Sequence, residues 1–301
     1  MANLNLYDSE NDKVKITKNT ERAVLNLYKR IAKKAQQKAK NLSKDESISS
    51  RLKKVQLEAY IKQLNAEIDA LNKSLNSEIK NQAKEMSKAV VEQAVEQAKS
   101  WGLDFEGAYS YVPDDVVKTL YEGKLYEKGW TPSKSIWKNN KKIKSDIQKI
   151  VAEGIAQNKS TYDIAKDLEK YVDPTARKDW DWSKVYPGTN KKIDYSAQRL
   201  ARTMVQHAYQ LSMRETIRYN PFITGVEWHS VFSPGRTCAL CKDRDGTVYK
   251  KGQEPLDHPN GLCYLVSVIP DSMDQIADRL AAWSNGASDP AIDNWVEHAF
   301  R

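Results

Sequence analysis

The feature that most constrains this fold is a long segment without helix breakers. Between Glu21 and Ser100 the sequence contains neither proline nor glycine. These two residues are the strongest interruptions of a helix, so a segment of this length without them predicts continuous helix. One polar stretch, Ser43–Ser47, offers residues that favour helix N-caps and predicts a break between two helices.

The second of these helices carries a regular apolar stripe. Its members alternate in steps of four and three residues: Leu57, Ile61, Leu64, Ile68, Leu71 and Leu75. This a and d pattern predicts a helical hairpin or a short coiled coil, and the coiled coil would make a homo-oligomer possible. An ordinary amphipathic helix packed within one chain explains the same spacing.

The composition favours an elongated, helix-rich protein over a compact enzyme. The apolar fraction is 40%, the charged fraction is 29%, and the 301 residues include only 12 glycines. The sequence has no apolar run of roughly eighteen residues, so no membrane span is predicted, and its start does not resemble a secretory signal. Three cysteines are an odd number, which argues against a secreted disulfide framework and favours synthesis in a reducing cytosol.

Positive charge is concentrated near the N-terminus. The net charge is +8, and the segment from Arg22 to Lys54 contains eleven Lys or Arg residues against two acids. Such a segment can contact nucleic-acid phosphates or an acidic protein surface, or it can be a solvated helix face. The predicted nucleic-acid-binding residues are Lys29, Arg30, Lys33, Lys34, Lys38, Lys40, Arg51, Lys53 and Lys54.

The sequence divides into three segments. Residues 1–100 are predicted to form a basic, coiled-coil-like helical arm, and residues 101–194 an aromatic-rich connecting and helical region. Residues 195–301 are predicted to form a long helix, a β-unit with the cysteines and a C-terminal helical tail. In the middle segment, apolar spacing and N-cap residues predict short helices before an irregular loop. These elements are a helix after Pro113, helices over Lys144–Gln157 and Ser160–Tyr171, and a loop over Val172–Asn190.

The third segment begins with a long helix predicted over Tyr195–Tyr219. Beyond it, apolar residues occupy alternate positions over 226–232, and turn signals follow, which predicts a small antiparallel β-unit. Helices over Met273–Trp283 and Ile292–His298 form a C-terminal tail. The predicted fold is therefore mainly α with a small C-terminal antiparallel β-unit, an α+β class.

All three cysteines lie in the window Cys238–Cys263. Cys238 and Cys241 form a C-x-x-C pair, which can bind one ion from a single tight turn. His258 and Cys263 would complete a tetrahedral shell around zinc. Four protein ligands leave no open position for catalysis, so this zinc would be structural. The alternatives are that the thiols are buried small hydrophobic groups or that Cys238 and Cys241 form a redox pair.

A metal-dependent DNA nuclease built on the same cysteine window is an alternative function. It would need a histidine and Asp or Asn residues beyond the structural ligands. His229 with Asp243 or Asp245 is a conceivable set, but no general-base spacing supports it. The sequence has no P-loop, no G-x-S-x-G and no H-E-x-x-H motif. We therefore expect that the protein is not an enzyme.

The cysteine window belongs to a longer series of motifs. Downstream, in order, they are Trp228, Arg236-Thr237-Cys238, Cys241, Asp245-Gly246, His258-Pro259-Asn260 and Cys263. Upstream, they are Trp130–Ser133, Ile136–Asn139, Gly154–Leu168 and Arg199–Thr203. In order and spacing the series resembles the minor head (head morphogenesis) proteins of tailed bacteriophages, the family similar to phage Mu protein F. The resemblance covers about residues 130–269.

This resemblance implies a component of the virion. A few copies would be incorporated with the portal protein and other capsid or scaffold proteins during procapsid assembly in the host cytoplasm. The protein would then lie inside the head near the packaged double-stranded DNA, which is a natural partner for the basic arm. It would act in assembly and in genome retention or ejection.

Two positions depart from the family pattern. Gly261 stands where the family usually has the first cysteine of C-R-C, so only Cys263 remains of that pair. Met204 stands where the Arg-Thr pair is usually followed by Glu, which removes an acid that could pair with Arg202.

Overall fold

Two long helices dominate the first hundred residues. The structure is a computed structural model that describes residues 7–175, 193–232 and 237–301. Helix α1 spans Tyr7–Ala39 and helix α2 spans Ser50–Ser100, so the predicted break at Ser43–Ser47 is confirmed. Helix α1 begins earlier than predicted because the residues before Glu21 also lack proline and glycine.

The remaining elements in the described ranges are shorter. The helices are α3 (Val112–Tyr121), a 3₁₀ turn (Glu127–Gly129), α4 (Pro132–Ala156), α5 (Thr161–Val172), α6 (Ile193–Ile217), α7 (Ala239–Arg244), α8 (Met273–Ser284) and α9 (Pro290–Ala299). The strands are β1 (Gly225–His229), β2 (Val248–Lys250) and β3 (Tyr264–Val268). The predicted class, mainly α with a small antiparallel β-unit, is confirmed. Most of the loop predicted over Val172–Asn190 lies outside the described residues.

Two element boundaries differ from the prediction for local reasons. Helix α4 begins well before Lys144, because Thr131 caps it by accepting a hydrogen bond from the Lys134 N–H, and Pro132 suits the first helical position. Strand β1 ends at His229. The next N–H, that of Ser230, donates to the Asp245 carboxylate at 2.7 Å instead of continuing the strand pairing. None of the described helices is long and apolar enough to cross a membrane.

The chain divides into two compact units. Of the described residues, the cysteine unit comprises 7–18, 80–129, 202–232 and 237–301, and the helical unit comprises 19–79, 130–175 and 193–201. Helices α1, α2 and α6 each contribute residues to both units.

The helical unit is built on the apolar stripe of α2. Five of the six stripe residues are buried, and Ile61 is half-buried. The Tyr60 hydroxyl lies 3.5 Å from the Ala35 carbonyl oxygen of α1 and 3.3 Å from the Ala165 carbonyl oxygen of α5. From α4, the Asn140 side chain donates to the Ile68 carbonyl at 2.6 Å. The stripe therefore packs against helices of the same chain.

The cysteine unit contains a three-stranded antiparallel sheet with the strand order β2-β1-β3. On β1, Val226 and Trp228 are fully buried, two residues apart, as the alternating pattern predicts. The buried cluster beneath this sheet also includes Ile217, Cys241 and Cys263. Two of the three cysteines are therefore part of an apolar core.

Candidate metal centre

The C-x-x-C pair occupies the start of the short helix α7. Cys238 is the N-cap residue with an extended backbone, and Cys241 lies in the first turn. Their Sγ atoms are therefore close, at 3.5 Å. A disulfide requires about 2.05 Å between the sulfurs, and all three cysteines are free thiols.

The other two predicted ligands approach this pair. His258 Nε2 lies 3.3 Å from Cys238 Sγ and 3.1 Å from Cys241 Sγ. Cys263 Sγ lies 3.5 Å from Cys241 Sγ. The structure thus brings all four predicted ligands together, with Cys241 in contact with each of the others.

The spacing of these atoms fits a metal ion. Tetrahedral zinc, with Zn–S bonds of about 2.3 Å and Zn–N bonds of about 2.0 Å, has ligand-to-ligand distances of roughly 3.5–3.8 Å. The four short distances in the cluster are 3.1–3.5 Å. These contacts are slightly shorter than in a zinc site, and the ligand atoms form two overlapping groups, Cys238 with Cys241 and His258, and Cys241 with Asp257 and Cys263. The cluster could therefore bind a metal ion after a rearrangement of its side chains.

The two thiols of the pair have opposite electrostatic environments. The Cys241 backbone N–H donates to Cys238 Sγ and, with the Cys241 side chain and His258, lowers the pKa of the Cys238 thiol. Burial raises the pKa of the Cys241 thiol. A coordinated cation stabilises the thiolate form, so metal binding would deprotonate the buried thiol as well.

Asp257 joins the site, although the sequence patterns did not predict it. Its side chain is fully buried, and its carboxylate accepts hydrogen bonds from the backbone N–H groups of His258 at 2.8 Å and Cys263 at 3.2 Å. A carboxylate oxygen of Asp257 and the sulfurs of Cys241 and Cys263 lie within 4.8 Å of one another. Asp257 therefore orients two predicted ligands and adds an oxygen beside them. No spacing in the sequence distinguishes it from neighbouring acids.

The same carboxylate gives a physical reason for glycine at position 261. A Cβ atom at Gly261 would overlap the carboxylate of Asp257. The space that a cysteine side chain would need at this position is therefore filled. Glycine thus replaces the cysteine of the resembled motif at position 261 in a chain that has a buried acid at Asp257.

Buried polar side chains of helix α6 form hydrogen bonds with the backbone of residues 257–263, which we call the ligand segment. Gln206 donates to the Cys263 carbonyl at 2.5 Å. Gln210 accepts from the Asp257 N–H at 2.7 Å, and His207 Nε2 lies 2.9 Å from the Asp257 carbonyl oxygen. Because these groups satisfy backbone atoms of the ligand residues themselves, they act as a supporting shell for the site.

The buried Lys13 and the half-buried Tyr126 add to this support. Lys13 donates to the carbonyls of Leu262 and Cys263, both at 3.0 Å. Burial lowers the pKa of His207. The neutral ring donates from Nε2 to the carbonyl that it faces, so Nδ1 accepts from the Tyr126 hydroxyl at 2.8 Å. This role was not predicted from the sequence, although a polar stripe at helical spacing, residues 203, 206, 207 and 210, could have indicated it.

Two motifs of the resemblance are in contact, one on helix α6 and one in the loop before β3. Arg202 donates to the Asn260 side-chain oxygen, and the Thr203 hydroxyl accepts from the Asn260 N–H at 3.0 Å. Asn260 has a left-handed backbone, with φ of 72°, a conformation that asparagine tolerates better than most residues. Met204, which stands where the resembled motif usually has Glu, is fully buried. The Arg202 side chain is thus hydrogen-bonded to Asn260.

Eight of the nine predicted nucleic-acid-binding residues are exposed: Lys29, Arg30, Lys33, Lys34, Lys38, Lys40, Arg51 and Lys54. Lys34 forms an ion pair with Glu67 at 2.7 Å. The prediction for Lys53 is wrong, because its side chain is buried. Its ammonium group donates to the Glu46 carbonyl at 2.9 Å and to the Asn158 side chain at 2.7 Å. Lys53 therefore ties the α1–α2 connection to the end of α4.

The residues considered for a nuclease have other contacts. His229 stacks on Tyr264, with ring centroids 5.1 Å apart, and its Nε2 lies 3.3 Å from the Glu227 carboxylate. Asp245 accepts from the Ser230 N–H, which fixes the turn after β1. Arg236 of the cysteine motif lies outside the described residues. No protein-family model, no curated protein and no solved structure is significantly similar to this chain.

Proposed function

We propose that this protein is a minor capsid, or head morphogenesis, protein of a tailed bacteriophage that acts by binding and not by catalysis. The observation that supports the proposal is that residues from separate motifs of the resemblance contact one another in the structure. Arg202 and Thr203 contact Asn260, while Cys238 and Cys241 contact His258. A chance resemblance would give motif residues no reason to contact one another, so the convergence supports a shared structural role.

The proposed role follows the family. A few copies would enter the procapsid with the portal protein and other capsid or scaffold proteins. The protein would then lie inside the head near the packaged double-stranded DNA and act in genome retention or ejection. The exposed basic residues of α1 and the start of α2 provide a surface suited to the DNA phosphates.

We infer that the ion of the cysteine cluster is zinc and that it is structural. Thiolate and imidazole ligands together favour zinc among the common divalent ions. Cys238, Cys241, His258 and Cys263 supply four such ligands, and the Asp257 carboxylate is engaged by two backbone N–H groups. With four protein ligands, the ion would stabilise the β-unit and would not activate water.

The location of the protein in particles tests the proposal directly. Virions purified on a density gradient and treated with nuclease are analysed by mass spectrometry, with the free lysate fraction as control. We expect the chain in the particle fraction, at a low ratio to the major capsid protein. Recovery only from the free fraction would contradict the proposal.

The nuclease alternative is tested separately on purified protein. Duplex DNA is incubated with the protein and Mg²⁺ or Mn²⁺, and we expect the DNA to remain intact. Cleavage that disappears in His229→Ala would overturn the binding role.

Duplex binding by the basic arm needs its own measurement. Lys29→Gln, Lys33→Gln and Lys40→Gln are combined in one variant, and the matched control combines Lys62→Gln with Lys73→Gln on exposed positions of α2. Each phosphate contact that is lost should reduce the slope of log affinity against log salt by about 0.9 for duplex DNA. An unchanged slope would mean that the arm is a solvated surface.

A further inference from the structure

Helix α4 carries a second basic face, which the charge count along the sequence did not reveal. Its lysines are Lys134, Lys138, Lys141, Lys142, Lys144 and Lys149. Five of them are exposed and Lys144 is half-buried. Trp137 lies among them and is 61% exposed. The acids of the helix lie away from this face, because Asp146 is buried against Tyr171 and Glu153 is half-buried at its margin.

The packing of α4 keeps this face in solvent. Ile136, Ile143, Ile147 and Ile150 on the opposite side of the helix are buried in the core of the helical unit. On the exposed side, Lys134, Lys138 and Lys142 follow one another at intervals of four residues, so they lie in one row. The Lys141 ammonium group lies 5.3 Å from the centroid of the Trp137 ring.

The chemistry of the face indicates its ligand. Like charges four residues apart destabilise a helix, and a bound polyanion removes this repulsion. An exposed indole ring offers a flat surface on which an unpaired base can stack, whereas a base inside a duplex is already stacked. A membrane-surface helix would instead present a broad apolar face, and the apolar face of α4 is occupied by the core.

We propose that this face of α4 binds single-stranded nucleic acid, with phosphates on Lys138, Lys142 and Lys149 and an unpaired base on Trp137. This site has different residues from the basic surface of α1, and it binds single-stranded rather than duplex nucleic acid. The proposal holds whether or not the protein is a phage head component.

The test uses the full chain and a fluorescently labelled oligothymidylate, with anisotropy as the readout at several salt concentrations. We expect Trp137→Ala to weaken binding roughly 5- to 150-fold, the effect of losing one stacked base, and Trp137→Phe to retain most of the affinity. The pair Lys138→Gln and Lys142→Gln should reduce the salt slope by about 0.7 per lost phosphate contact. The control pair Lys62→Gln and Lys73→Gln should leave both values unchanged.

Three results would overturn the proposal. One is an oligothymidylate affinity that Trp137→Ala does not change. Another is displacement of the strand by polyglutamate at equal charge concentration, since this would show a surface that responds to charge alone. The third is Trp137-dependent binding to phosphatidylserine vesicles without binding to the strand, which would indicate a membrane surface. Single-strand binding that persists in the Lys29, Lys33 and Lys40 variant would show that the site is independent of α1.

Discussion

The cysteine cluster and the core of the helical unit are stabilised by different kinds of interaction. The helical core buries the apolar stripe of α2 against helices of the same chain. The segment from Asp257 to Cys263 combines the apolar burial of Cys263 with hydrogen bonds to its backbone from side chains such as Gln206 and Gln210. Apolar burial is non-directional and tolerates substitution, whereas each directional contact in the ligand segment has one suitable donor or acceptor. Perturbations should therefore affect the two regions separately.

The largest expected effect is that of Cys241→Ser, which removes the thiol that contacts every other ligand. We expect loss of the bound ion and destabilisation of the cysteine unit by about 5 kcal/mol or more, because structural zinc contributes its binding free energy to folding. Urea unfolding combined with metal analysis provides the measurement.

The matched control for this variant is Leu240→Ser, in the same turn of α7, where Leu240 is 46% exposed. It should retain the ion and nearly all of the stability. If both variants lost the ion equally, local unfolding of α7 and not the missing thiol would be responsible.

The next effect in size is that of Leu71→Ala in the helical core. Leu71 is 3% exposed, so truncation should cost about 2–5 kcal/mol through lost burial and a cavity. The metal content should not change. Leu52→Ala, on the exposed side of α2, is the matched control and should alter the free energy of unfolding by less than about 1 kcal/mol. A reduced metal content in Leu71→Ala would show that the two regions are coupled.

A smaller effect is expected for Gly261→Cys, which introduces the cysteine that the phage minor head proteins usually have at this position. The new side chain would overlap the carboxylate of Asp257, so the variant should lose about 1–3 kcal/mol from overpacking. Combining it with Asp257→Ala frees the space. The double variant should therefore be more stable than the sum of the single effects predicts, with a coupling of about 1 kcal/mol or more. Strictly additive effects would disprove the competition for space at this position.

Much of the fold was predictable because its signals are local. The helices α1 and α2 follow from the lack of proline and glycine, and the buried stripe of α2 follows from its spacing. Strand β1 follows from the alternation of Val226 and Trp228. The clustering of the three cysteines with His258 was predictable because these residue types are rare in this chain and fall in one window.

What could not be predicted depends on contacts between distant residues. Gln210 and Asp257 are 47 residues apart in sequence, and no local pattern relates them. The burial of Lys53 depends on Asn158, 105 residues away. The basic face of α4 was missed because the charge outside the segment from Arg22 to Lys54 was summed over the whole remaining chain, where acids such as the six in residues 271–301 cancel the lysines of α4.

The metal content of the purified protein tests the central claim most directly. The chain is prepared without added metal, and the bound ions are identified and counted by mass spectrometry before and after treatment with a chelator. We predict one zinc ion per chain, and its removal should lower the stability of the cysteine unit while the helices of the helical unit persist. A metal-free protein whose unfolding free energy is the same with and without zinc would contradict the account.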